Sequence, residues 1–137
     1  DSEHVSPEQR ELAQQILLAL GKEVYVEEED FLDKATALSG TGPAYVYLFM
    51  EAMVDAGVRL GFSRPVSREL VVQTVLGAAI FARESGAHMA ELRNKVTSPG
   101  GTTAEALYQL EDGGLRVLIY DAIEAAYQKS RALAGKS

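Results

Sequence analysis

Ser98-Pro99-Gly100-Gly101-Thr102-Thr103 combines two glycines with three hydroxyls in six residues. Glycine lets a ligand come close to the backbone. The first N–H groups of a helix, with the helix dipole behind them, attract anions. A loop of this kind opening a helix suits a carboxylate, held by N–H groups and by the hydroxyls of Thr102 and Thr103. The residues also have a plainer use. Thr102 and Glu105 stand at capping-box spacing, and a capping box needs no ligand. Ser39 to Pro43 is a weaker candidate, which a simple helix start accounts for. Gly40-x-Gly42 is no dinucleotide fingerprint: no strand closely precedes it, and Tyr45 stands where a third glycine is needed. The chain therefore shows no evident nucleotide site.

Other chemistries find little support. His4 and His88 are far apart, with no cysteine or close carboxylate at ligand spacing. His88 reads as an exposed helix start. Glu27-Glu28-Glu29-Asp30 are consecutive, so their side chains diverge and read as a solvated acidic edge. No Ser-His-Asp or Cys-His arrangement is visible.

The 137 residues amount to one domain with room for a core, at a formal net charge of -7. That balance speaks against a nucleic-acid surface, which would be basic, and against an anionic membrane. With no cysteine, disulfides and thiolate metal sites are ruled out, which fits a reducing, cytoplasmic setting. The N-terminus, Asp1-Ser2-Glu3-His4, has no basic flank, apolar run or initiator Met. The expectation is a processed chain or a piece of a longer one.

The elements that must position these residues are mostly helical. Ser6-Pro7-Glu8-Gln9 starts a helix whose apolar face runs through Leu12, Ile16 and Leu20 and stops at Gly21. Val24-Tyr25-Val26 reads as one short strand, which needs partners outside the visible elements. A helix followed by a strand is also how a doubly wound sheet ends. A domain boundary is therefore expected near residues 28–32. A short helix follows over Asp30 to Leu38, then the Ser39–Pro43 turn and a long helix to Leu60, closed by Gly61. Ser63 to Pro65 opens another, ended by Gly86. His88 to Lys95 forms a short helix, and Thr102 opens one reaching about Leu110. Asp112-Gly113-Gly114 breaks that helix. The last carries Leu115, Leu118, Ile119, Ala122, Ile123 and Ala126 on one stripe.

Two of these helices are too apolar for a monomer. Ala44 to Met50 is continuously apolar or aromatic, and Leu70 to Ala82 is interrupted only by Gln73, Thr74 and Gly77. Helices apolar all round are buried on all sides, and a domain of this size has room for one. The second is expected against another subunit, with Gly77, Ala78 and Ala79 allowing close approach. Glu51 and Asp55 interrupt the first run, which also falls short of the roughly 20 residues that span a bilayer.

Two segments resemble one family. The first is Ala35-Thr36-Ala37-Leu38-Ser39-Gly40-Thr41-Gly42-Pro43-Ala44-Tyr45, followed by Asp55-Ala56-Gly57-Val58 and Gly61. The second is Leu92-Arg93-Asn94-Lys95-Val96-Thr97-Ser98-Pro99-Gly100-Gly101-Thr102-Thr103, followed by Ala106-Leu107 and Leu110-Glu111. Together they resemble the C-terminal domain of pyrroline-5-carboxylate reductases, and the second is that family's signature. The resemblance runs from about residue 5 to residue 133. Thr41 stands where the family usually has Ser, and Met89 where many members have Pro. The large departure is length: the family has an N-terminal Rossmann domain with a glycine-rich fingerprint, absent here. Residues 6–27 look like its last helix and strand.

The resemblance implies a mainly all-α fold, an interlocking helical bundle forming an obligate dimer, with one short N-terminal strand left from the missing domain. Residues 1–29 would be the end of a dinucleotide-binding domain and 30–137 the dimerisation and substrate-binding domain. The implied reaction passes a hydride from NADPH or NADH to the C=N carbon of pyrroline-5-carboxylate, giving L-proline. The cofactor would be held mainly by the absent domain, leaving the isolated chain inactive. The implied partners are a second copy, in larger assemblies of dimers in many members, and the small-molecule substrate. Ser98, Gly100, Gly101, Thr102 and Thr103 match the loop that holds the substrate carboxylate, and Val96 lines the same pocket. Thr36 matches a hydroxyl near the ring nitrogen, where it would orient the imine or help deliver its proton. A helix-end hydroxyl bonded to backbone is the plainer account of Thr36. The competing functions are a non-catalytic oligomerisation module and a reductase of another small imino acid.

Overall fold

The computed structural model describes residues 28–135 and the single positions 7 and 11. The expected first helix and the strand at Val24–Val26 lie outside the described residues, as does the expected boundary at residue 29 on its N-terminal side. Among the described residues every regular element is helical: α1 Glu28–Ala35, a π-helical turn Thr36–Gly40, α2 Gly42–Leu60, α3 Arg64–Ser85, α4 Met89–Lys95, α5 Thr102–Asp112 and α6 Leu115–Leu133. They form two compact units. One takes the described residues up to Val46 together with those from Arg116 on; the other is Tyr47–Leu115.

In the first unit α1 is clasped to α6 by polar side chains. The Tyr127 hydroxyl donates to Asp30 Oδ1 at 2.7 Å, and the Ser130 hydroxyl donates to Asp33 Oδ1 at 2.8 Å. Asp30 and Asp33 are one turn apart on α1, as are Tyr127 and Ser130 on α6, so the two bonds share one register. Lys34 meets Asp30 Oδ2 at 2.9 Å, and Arg131 donates to Tyr127 Oη at 3.3 Å while lying over its ring. Asp30 is thus no merely solvated carboxylate, as its place in an acidic run had implied. Its partner is 97 residues away, beyond the reach of local pattern. Ala35, Thr36 and Ala37, at the end of α1, are buried.

The hydrogen bonds from Tyr127 and then Lys34 hold the Asp30 carboxyl below its ordinary pKa. A carboxylate whose pKa is depressed on folding contributes stability above its unfolded value, about 3.9, and loses it as pH falls through the folded one. Thermal melts between pH 7 and pH 2.5 should therefore show a loss of stability below about pH 4 that is smaller in Asp30→Asn. Equal acid sensitivity in both proteins would detach Asp30 from the effect.

In the second unit α2 and α3 form a hairpin whose boundaries follow local chemistry. Gly61 adopts φ +116, a conformation open to glycine, and ends α2. Ser63 caps α3 by accepting from the Val66 N–H at 3.4 Å, and Pro65 sits in the first turn, where its missing N–H costs nothing. Ser67, only 1% exposed, donates to the Val54 carbonyl at 2.8 Å and draws the helices together at Gly57. Arg64 and Asp55 add an exposed ion pair at 2.9 Å. Gly86, at φ +67, ends α3, and His88 caps α4 through Nδ1, which accepts from the Ala90 N–H at 3.0 Å.

Both apolar helices are open. No residue of α2 is buried, and on α3 only Ser67 and Val71 are. Leu48 is 68% and Leu76 50% exposed, with Tyr47, Phe49, Leu70 and Phe81 also exposed. The expectation that one of the two would fill a core within the protomer is corrected: neither does, and both require cover. The α6 stripe behaves likewise, with Leu118 and Ile119 exposed. Contiguous apolar surface on this scale marks an interaction face.

Candidate functional site

The candidate residues fall on two segments. Thr36 belongs to the first unit; Val96, Ser98, Gly100, Gly101, Thr102 and Thr103 are brought together in the second, on the connection from α4 to α5.

Ser98 to Gly101 make a tight turn in which the Gly101 N–H donates to the Ser98 carbonyl at 3.0 Å. Proline at its second position and Gly100 at φ +69 in its third are the signature of a type II turn. A Cβ on Gly101 would lie 3.2 Å from the Ser98 carbonyl oxygen, so the turn is closed against side chains there. Gly101 is the N-cap of α5, and its carbonyl accepts the first helical bond from Glu105 N–H at 3.3 Å.

This overturns the capping box expected from Thr102 and Glu105. Thr102 is the first helical residue, and no side chain caps the helix. The turn fixes where the helix starts, one residue earlier than the hydroxyl pattern had implied. The N–H groups of Thr102, Thr103 and Ala104 have no intrahelical acceptor, and the two threonine hydroxyls are not spent on the cap. Arg93 and Lys95 stand in the last turn of α4, so basic residues precede the loop. Val96, the C-cap of α4, is exposed, while Thr97 turns its hydroxyl back to the Arg93 carbonyl at 2.7 Å. An anion offered to this terminus meets backbone donors, two free hydroxyls and the positive end of α5.

Thr36 sits differently. It is 7% exposed, and its Oγ1 is buried without a hydrogen-bond partner. An unsatisfied buried hydroxyl costs about 1–3 kcal/mol. Such a group in a native structure calls for an explanation, and a catalytic or ligand-binding role is one. A helix-end hydroxyl bonded to backbone, the plainer account, does not describe it.

The segment around Thr36 was expected to be α-helical to Leu38 and then a turn. Instead α1 passes into a π-helical turn, closed by the Thr41 N–H donating to the Thr36 carbonyl at 2.8 Å, five residues back. π-Helical turns are concentrated at functional sites. Ser39 donates to the Ala35 carbonyl at 2.9 Å, and Thr41 to that of Ala37 at 3.0 Å. The Tyr45 hydroxyl also lies within hydrogen-bond distance of the Ala37 carbonyl, at 3.1 Å, and of the Thr41 hydroxyl, so the two hydroxyl protons serve two of these three contacts at a time. Sequence reading gave Tyr45 no part in the site. The available signal was a polar tip within the apolar run Ala44 to Met50, where a half-buried phenol favours a partner.

The family described as Pyrroline-5-carboxylate reductase dimerisation matches residues 29–133. A pyrroline-5-carboxylate reductase of Pseudomonas aeruginosa is 46% identical over 130 residues, covering 95% of this chain and 48% of that protein. A solved pyrroline-5-carboxylate reductase of Coxiella burnetii superposes with a TM-score of 0.78 at 44% identity, covering 96% of this chain and 48% of the other. A pyrroline carboxylate reductase of Plasmodium falciparum, solved with NADP bound, gives 0.76 at 40% identity and covers 96% and 50% respectively. The chain spans about half the length of the curated relatives it matches.

Proposed function

The chain belongs to the pyrroline-5-carboxylate reductase dimerisation family, and on that premise we propose that it is the self-associating, substrate-holding C-terminal half of such a reductase, which converts 1-pyrroline-5-carboxylate to L-proline. The route is proline biosynthesis and the setting cytoplasmic, a reading supported by the acidic, cysteine-free composition. NADPH or NADH supplies the hydride when bound. The described residues do not fit that group: Gly40 and Gly42 follow a helix, and the hydroxyls of Ser39 and Thr41 beside them are bonded to backbone carbonyls. The cofactor is therefore assigned to a separate dinucleotide-binding half.

The chain's own residues bind and orient. The α5 terminus takes the substrate carboxylate through the N–H groups of Thr102 to Ala104 and the hydroxyls of Ser98, Thr102 and Thr103. Gly100 and Gly101 keep side chains out of its approach, and Val96 offers an apolar wall. The Thr36 hydroxyl serves the ring nitrogen. A cyclic imine accepts hydride well only when protonated, and a threonine hydroxyl is too weak an acid to protonate it alone. It can hold the nitrogen, or a water bonded to it, in the orientation that proton delivery requires.

The uncovered faces of α2, α3 and α6 are assigned to a second copy of the chain, in a homodimer that assembles further. By length and composition α3 also passes as a bilayer span. Its face bearing Ser67 is fastened to α2 by a polar bond, which supports a protein neighbour over lipid.

The observation that carries this reading is the uncapped α5 terminus behind the Ser98–Gly101 turn. In the full-length reductase, Thr103→Ala should raise KM for pyrroline-5-carboxylate roughly 5- to 150-fold, the loss of one hydrogen bond to a charged group, with kcat changed far less. An unchanged KM would show that the terminus does not hold the carboxylate.

A further inference from the structure

Serine and threonine in helices habitually return the hydroxyl to the carbonyl four residues back, as Ser39, Thr74 and Thr97 do in this chain. Ser130 does not. From the last turn of α6 its hydroxyl crosses to Asp33 Oδ1 on α1, at 2.8 Å. Asp33 is 3% exposed, so the bond is made to a carboxylate nearly withdrawn from water. Such a carboxylate holds its hydrogen-bond donors firmly.

Asp33 and Thr36 stand one turn apart on continuous helical backbone, and Ala37 follows four residues after Asp33. The three are 3%, 7% and 1% exposed, so they lie on one buried stripe. What fixes the rotation of Asp33 about the helix axis also fixes that of Thr36. Asp30, a turn earlier, is held by Tyr127 in the same register. Two holds a turn apart stop α1 from sliding along α6 and from rolling about its own axis. Roll is the motion that matters to Thr36. A side-chain tip stands roughly 5 Å from the axis of a helix, so a roll of about 10° carries it about 1 Å. The Thr36 hydroxyl has no hydrogen-bond partner of its own to correct such a shift, and its position follows the backbone that carries it. We infer that Ser130 is a positioning residue for Thr36: its bond to Asp33 sets the rotation of α1 that presents the Thr36 hydroxyl to the imine nitrogen.

The inference rests on the role given above to Thr36, and the experiment separates the two. In the full-length reductase, Ser130→Ala removes the hydroxyl and should lower kcat about tenfold, within the cost of misplacing an orienting group by a fraction of an ångström. KM for pyrroline-5-carboxylate should stay within about twofold of the parent, because the α5 terminus that takes the carboxylate is untouched. Ser130→Thr keeps the hydroxyl and should restore the parent kcat. In a Thr36→Ala background, Ser130→Ala should have no further effect, because no hydroxyl is left to position. Should Ser130→Ala fail to assemble, Tyr127→Phe frees α1 at its other hold and carries the same readings. A Ser130→Ala enzyme that melts lower but turns over at the parent rate, beside a slow Thr36→Ala, would show that the bond only stabilises; the positioning role is then refuted while that of Thr36 stands. Equal damage with and without Thr36 would mean that Ser130 acts by another route, which also refutes the inference. A Thr36→Ala enzyme at full rate would remove the underlying role and this inference with it.

Discussion

Leu76→Glu abolishes self-association and unfolds much of the chain at the concentrations where the parent is assembled and helical. Leu76 is half exposed near the middle of α3, beside Gly77, Ala78 and Ala79, which are also exposed. No atom lies within 4 Å of a Cβ built on Gly77, so a neighbouring helix can approach closely there. In the assembly proposed above this face is covered, and a glutamate there would be buried without a partner. Breaking charge balance in a buried site costs about 3–5 kcal/mol, equivalent to a loss of two to more than three orders of magnitude in association constant. Among the described residues few apolar side chains are buried, so the helices are expected to depend on association. Sedimentation velocity at micromolar concentration, with far-ultraviolet circular dichroism on the same samples, reads both effects. A variant sedimenting with the parent would move the interface off this face, and a monomeric parent would end the assembly reading altogether.

Gly57→Ala has the second largest effect, and its direction runs against helix propensity. Replacing an interior helical glycine with alanine stabilises an isolated helix by about 1 kcal/mol. Here the added Cβ would stand 2.0 Å from Ser67 Oγ and 3.1 Å from Ser67 Cβ. Ser67 is almost fully buried and holds the Val54 carbonyl, so rotating it away sacrifices that bond, and its own Cβ cannot rotate away. Helices α2 and α3 must move apart. Overpacking of this kind costs about 1–3 kcal/mol, and more when a hydrogen bond is broken as well. Thermal unfolding should fall by several degrees, and Gly57→Val should be worse. Gly57→Ala with Ser67→Gly moves the offending carbon from one helix to the other and should recover part of the loss. A single Gly57→Ala variant more stable than the parent would mean that the hairpin yields at this point.

Gly61, Ser63 with Pro65, and Gly86 were legible in the sequence because each boundary is decided by its own few residues. The Ser98–Gly101 loop was legible as chemistry for the same reason, since glycines, hydroxyls and a helix start are local facts. The helix start itself was misread by one residue, because the Pro99-Gly100 turn overrides the capping preference of Thr102. The π-helical turn could not be read. Its Ala37 carbonyl meets a phenol eight residues on, and composition does not distinguish such a turn from an ordinary helix end. Asp30 was misplaced among solvated acids because its partner Tyr127 lies on α6. Thr36 was indicated by family resemblance alone, and the structure adds a physical mark, a buried hydroxyl with nothing to bond. The apolar excess of α2 and α3 was plain from their residues, although how little of it is covered within the protomer was not.

The clasp between α1 and α6 joins residues separated by 97 positions. During synthesis the stretch bearing Thr36 is made before Tyr127 and Ser130 have been translated. At roughly 5–20 residues per second that delay is about 5–20 s. Throughout that interval the Thr36 segment lacks the α6 side chains that later fasten α1.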